Sequence, residues 1–210
     1  MTRTEAVAVI ARRLGNKAGV DTQIIDELKL AQTMLEHGPE LPWFLLKASS
    51  GLVTVANTQT VAVPSDFLRE YDETGGLRVL DPTDSNKPKQ LEKEDYQTLR
   101  NSTWLEETGL PTHYALVGRS WYLFPKPDAV YSLEELYYGQ DNLLTTDIEN
   151  DWLKEAPDLL IASAGLPIAM FLRDKDAVSL FSDMLKISYD RLQQENTARS
   201  VAAMAQFMGG

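Results

Sequence analysis

Two histidines, His37 and His113, and two adjacent acidic pairs, Glu106-Glu107 and Glu134-Glu135, are the residues whose types suit catalysis or metal binding. His37 precedes Gly38-Pro39 at a helix end, where an imidazole favours the negative end of the helix dipole. His113 opens a strand after Pro111-Thr112. Neither stands at a spacing from a second ligand that closes a metal site. Glycoside hydrolysis needs two carboxylates facing each other across a cleft. Neighbours on a strand point to opposite faces, so Glu134 and Glu135 do not make such a pair alone. Both acidic pairs are read as solvated charge. "GRSW" at 118–121 lacks the second glycine of a nucleophile elbow. Gly75-Gly76 and Gly118 open no glycine-rich phosphate loop. Cysteine is absent, which removes disulfides, thiolate ligands and a cysteine nucleophile. No catalytic residue, metal ligand or cofactor-binding residue is expected, and no cofactor.

The elements around these residues fall into three blocks. Residues 3–14 carry an apolar stripe at helical spacing (Ala6, Val7, Val9, Ile10, Leu14) that Gly15 stops. A second helix starts at Asp21 or Thr22, repeats Ile24, Ile25, Leu28, Ala31 and Leu35, and ends at Gly38-Pro39. Residues 43–67 turn to Val, Thr and aromatic residues broken by turn clusters, the signature of strands. "GGLRVLD" (75–81) reads as a short strand, 81–89 as a loop and 91–101 as a helix. "THYALV", "SWYLFP" and "VYSLEELYY" read as three further strands, with Gly118-Arg119 turning the first into the second. From Asp147 helical periodicity returns. Asn150 or Asp151 caps a helix that is apolar nearly all round, with Gly165 and Pro167 as places for a kink or a split. Residues 175–199 form a long amphipathic helix. The expected class is α+β: a helical bundle from the N- and C-terminal helices (1–40 and 147–199), an inserted β-rich lobe (41–146) and a C-terminal arm (200–210). Within the bundle, Leu160, Ile161, Ala164, Ile168 and Phe171 are expected to pack against residues 24–35, Phe181 and Leu185.

The densest aromatic stretch is "SWYLFP". Trp121 and Leu123 share one face of its strand, Tyr122 and Phe124 the other. Tyr114 and Leu116 share one face of the preceding strand, Ala115 and Val117 the other. Both faces are apolar, so both need cover. The lobe offers one helix for that. Either loops complete a compact core or part of this surface meets another chain. Trp121, Tyr122, Phe124, Tyr137 and Tyr138 are the interface candidates. In the arm, Val201, Met204, Phe207 and Met208 fall at three- and four-residue spacing and join that set, Met and Phe suiting an adaptable groove-binding face.

The formal net charge is −11. Residues 41–150 hold nine basic and seventeen acidic groups, most of the excess. An acidic surface does not grip phosphates. The N-terminus lacks a signal peptide's pattern, and the longest apolar run, 159–172, is too short to span a bilayer. A soluble protein made in the cytoplasm, with no membrane partner, is expected.

Residues 109–144, "GLPTHYALVGRSWYLFPKPDAVYSLEELYYGQDNLL", together with "VPSDFLRE" (63–70) and "NDWLKEAPDLLIASAGLPIAMFLRD" (150–174), resemble the pattern of bacteriophage head–tail adaptor proteins. These are also called head-completion or connector proteins and include the tail accessory factor of short-tailed phages. The likeness lies in the Pro-Thr-x-Tyr strand opening, the aromatic strand running into Pro-x-Pro, and Tyr137-Tyr138. The resemblance implies a helical bundle with a β-rich insertion and no enzymatic activity. It also implies a place in the virion neck after synthesis in the host cytoplasm. The implied partners are other copies in a ring of about twelve subunits, the portal protein above and tail or nozzle proteins below. DNA would pass through the ring without sequence-specific binding. A virion-associated, carboxylate-based peptidoglycan hydrolase and an acidic binding module are the alternatives.

Overall fold

A computed structural model describes residues 1–71 and 76–208, with the backbone path alone for Ser50 and residues 200–208. The chain is α+β. It divides into a helical unit, residues 1–45 and 140–210, and a β-rich unit, residues 46–139.

The helical unit opens with α1 (Arg3–Arg13), whose start is a capping box: Thr2 accepts from the Glu5 N–H while Glu5 accepts from Thr2. Next is α2 (Asp21–Glu36), closed by His37, whose Nδ1 lies 2.8 Å from the Thr33 carbonyl oxygen. After the lobe come α4 (Asp151–Glu155), capped by Asn150, then α5 (Pro157–Phe171) and α6 (Lys175–Met208). The split in the apolar helix falls at Ala156, one residue before Pro157, and α5 runs on through Gly165 and Pro167. Proline at a first helical position costs no hydrogen bond, which makes Pro157 a start rather than a kink.

Leu159, Leu160, Ile161, Ala162, Ala164 and Ile168 are buried. Leu28, Ile24 and Phe181 join them in having essentially no exposure. Phe171 departs from the expected core and is 73% exposed. It is the final residue of α5, and although it falls at helical spacing from buried Ala164 and Ile168, the helix ends there and leaves its ring open. Gly165 has a specific purpose. A Cβ there would lie 2.4 Å from the Phe181 ring, so the ring packs on bare backbone. Gly165→Ala is expected to lower stability by about 1–3 kcal/mol through overpacking, measured by urea unfolding.

The lobe holds two antiparallel-dominated sheets. Its strands are β1 (Leu46–Val53), β2 (Thr60–Ala62), β3 (Phe67–Glu70), β4 (Leu77–Asp81), β5 (Lys87–Gln90), β6 (Glu92–Lys93), β7 (His113–Val117), β8 (Ser120–Phe124) and β9 (Ser132–Gly139). One sheet has the order β1-β9-β4-β5, with β3 beside β9 on the edge that β4 also uses. The other has the order β2-β8-β7-β6. Gly118, with φ 62°, makes the tight turn between β7 and β8 that a side chain would strain.

Two stretches differ from the expected elements. Residues 82–90 are a 3₁₀ turn followed by β5, which pairs with β4 as a hairpin. All four β5 side chains are exposed, so no alternation marked the strand in the sequence. Helix α3 covers only Tyr96–Arg100, capped by Asp95, while Glu92 and Lys93 pair in parallel with β7.

Candidate interaction surfaces and buried carboxylates

The aromatic strand finds its cover inside its own lobe. Trp121, Leu123 and Tyr114 pack with Leu77, Val79 and Leu133 of the other sheet. On the opposite face Phe124 and Ala115 meet Leu99 of α3, with Tyr96, Trp104 and Tyr122 at the margin. The second cover is thus the other sheet of the lobe. Sequence periodicity showed two apolar faces but gave no sign that the strands divide between two sheets. Trp121 and Phe124 present almost no surface outward. Tyr122 is half-buried, its ring edge-to-face with Tyr96 at 4.9 Å. Tyr137 is buried; its hydroxyl donates to Asp66, which also pairs with Lys47 at 2.7 Å. Burial and that hydrogen bond push the Tyr137 phenol up to about 12. Tyr138 is half-buried beneath Arg69, whose guanidinium carbon lies 5.6 Å from the ring centre. The side chains of Val201, Met204, Phe207 and Met208 lie outside the described residues, as do Gly75, Gly209 and Gly210.

The histidines do structural work. His113 stacks on Trp104 with ring centres 3.9 Å apart, and its Nε2 lies 3.2 Å from Glu92. Among the described residues no three His, Cys, Asp or Glu side chains gather as a metal site. Glu106, Glu107 and Glu134 are exposed, as expected of solvated charge.

Glu135 is not solvated. It is 2% exposed, and neither carboxylate oxygen has a hydrogen-bond partner. Burial first, then the Glu70 charge, push its pKa up to about 8, with Lys93 opposing. Beside it Glu70 pairs with Lys93 at 2.5 Å and accepts from the Tyr114 hydroxyl at 2.8 Å. Gly76 closes this pocket. A Cβ there would meet the Leu136 carbonyl oxygen at 2.6 Å and Glu135 Oε1 at 3.2 Å. A polymer chain does not reach a carboxylate buried this deeply.

A second buried acidic pair, Glu36 and Asp141, binds the helical unit where the chain returns from the lobe. Glu36 Oε1 accepts from Gln32 Nε2 (2.9 Å), Trp152 Nε1 (3.1 Å) and the Asp141 N–H (3.3 Å). Asp141 accepts from the N–H groups of Asn142 and Trp152. Asn150 Nδ2 donates to Gln32 Oε1 and to the Asn142 carbonyl. Burial raises the pKa of both acids. The sequence held a signal for this network: Gln32 and Glu36 stand four and eight residues after buried Leu28, polar residues at core spacing.

Helix α6 is clamped near its far end. Asn196 Oδ1 accepts from the Trp43 N–H at 3.0 Å, and Arg199 lies 3.4 Å above the Trp43 ring. Exposed apolar residues remain in both units: Val53, Val55 and Val130 in the lobe, Met170 and Phe171 on α5.

This arrangement defines a class, an α+β protein in which a β-rich unit interrupts a helical one. The family model of the SU10 adaptor protein matches residues 1–206, and the chain belongs to that family. It is a family of structural adaptors of bacteriophage particles, not a class of enzymes. Curated proteins yield no match. Among the described residues no helix is long and apolar enough to cross a membrane.

Proposed function

We propose that this chain is the subunit of an adaptor ring in the virion neck, seated between the portal vertex and the tail. In this reading the ring retains packaged DNA and gives the tail its docking platform. The family match over nearly the whole chain carries the reading. Physical features support it. A cyclic homo-oligomer is joined head to tail, so each subunit needs two unlike patches. Two exposed apolar areas suit that role, the end of α5 and the valines Val53, Val55 and Val130 of the lobe, besides the half-buried Tyr122 and Tyr138. The acidic excess of residues 41–150 suits a channel wall that does not hold phosphates.

Electron microscopy of the purified chain mixed with portal particles tests this. Rings stacked on the portal are expected; a chain that leaves the portal bare would overturn the reading. The acidic surface gives a further expectation. The free chain should not shift duplex DNA in a gel at physiological salt, and salt-sensitive binding in the micromolar range would count against a non-adhesive channel.

A further inference from the structure

Helix α5 carries a face that its own unit leaves uncovered. Ser163, Leu166, Pro167, Met170 and Phe171 recur along it at three- and four-residue spacing. Met170 is 62% exposed and Phe171 73%. No charged residue stands between Asp158 and Arg173. The segment after Arg199 is also free of charge. The backbone of α6 continues through it to Met208. Its sequence places Val201, Met204, Phe207 and Met208 at helical spacing. An uncharged apolar face is complemented by an uncharged apolar partner, not by nucleic acid or a charged peptide. The segment 200–208 of this chain has that character.

Helix geometry then decides which copy supplies it. α5 and α6 are antiparallel: Gly165 lies against Phe181, and Asp158 lies 3.9 Å from Arg191. α6 therefore runs away from Phe171. At 1.5 Å per residue it carries Val201 roughly 40 Å along the axis from the level of Phe171. The clamp of Asn196 and Arg199 on Trp43 holds that direction. A continuous helix does not return over such a distance, so the arm and the α5 face of one chain stay apart. In two chains they are free to meet.

We propose that the C-terminal helix of one copy, residues 201–208, seats on the Pro167–Met170–Phe171 face of α5 in the next copy. The contact is head to tail and repeats until the assembly closes. It rests on the ring reading above and names one of the contacts that would join its subunits.

The absence of cysteine makes cross-linking clean. Full-length chains carrying Pro167→Cys, Met170→Cys or Phe171→Cys are mixed with chains carrying Val201→Cys, Met204→Cys or Phe207→Cys. They are assembled with portal particles and treated with a short bis-maleimide. At least one mixed pair is expected to give a chain-to-chain adduct. In parallel, Phe171→Glu and deletion of 200–210 are each expected to weaken assembly at least about tenfold. Together they are expected to weaken it no further, because both remove one contact. Phe171 is exposed, so Phe171→Glu leaves the monomer's thermal midpoint unchanged. Rings that form without any adduct across the panel, or losses that add, overturn this contact and leave the ring reading standing. A chain that assembles under no condition removes both.

Discussion

Phe181→Ala is expected to lower the stability of the helical unit by about 3–5 kcal/mol. The ring has no exposure, and it fills the space left by Gly165, so its removal opens a cavity that two antiparallel helices do not readily close. The neighbours resist collapse because α5 also packs against α2, and Leu28, Leu160 and Ala164 of these two helices are buried. Urea unfolding at constant slope measures the loss. A change under about 1 kcal/mol would mean that this ring does not join α5 to α6. The sign at Gly165 differs in origin. There a methyl group is too much, whereas at Phe181 a ring is missing, and the two lesions bracket one contact.

The second large effect is a pH dependence carried by Glu135. Its carboxyl holds a proton more tightly in the fold than in the unfolded chain, with a pKa of about 8 against an ordinary 4.5. The stability tied to that proton is fully present below pH 4.5. It is lost as pH rises through the window up to about 8, at about 1.4 kcal/mol per unit. Glu70, Lys93 and Tyr114 face the site, and the Glu70–Lys93 pair leaves Glu135 without a cation of its own. Glu135→Gln keeps the shape and removes the ionisation. The variant is expected to match the wild type near pH 5 and to exceed it near pH 8 by several kcal/mol. Unfolding free energies at both pH values check this. Glu36 and Asp141 remain in the variant and slope the same way, so flattening rather than loss of the pH dependence is the expected result. A variant with the wild-type slope would show that Glu135 is not the group that titrates.

Much of the helical unit was legible because its elements announce themselves. The stripes of α1 and α2, the cap at Asn150 and the apolar length of α5 are local patterns. The break at Ala156 was not read, since Pro157 looks like a continuation until the helix on each side is counted. In the lobe the alternation of β7 and β8 gave the faces of Trp121, Tyr122, Leu123 and Phe124. What covered them depended on pairing between distant strands, β4 with β9 and β8 with β2, which no local period encodes. The same cause hid Glu135. Glu134 and Glu135 both read as solvated charge, yet they face opposite sides of β9 and only Glu134 is exposed, because the other face is covered by the second sheet. Tyr137 and Tyr138 show the rule at work, the first fixed inward on Asp66 and the second left half open.

The lobe begins at Leu46 and closes at Gly139, and Leu46 is the ladder partner of Tyr138. Partnered residues in antiparallel strands stand about 4.5–5.5 Å apart. The two peptide strands that leave the bundle are therefore side by side, like the stem of a leaf. An insertion attached at such a stem is interchangeable. A short Gly-containing turn should bridge residues 45 and 140 and leave a bundle able to fold by itself, and a different β unit with the same stem width should graft in its place.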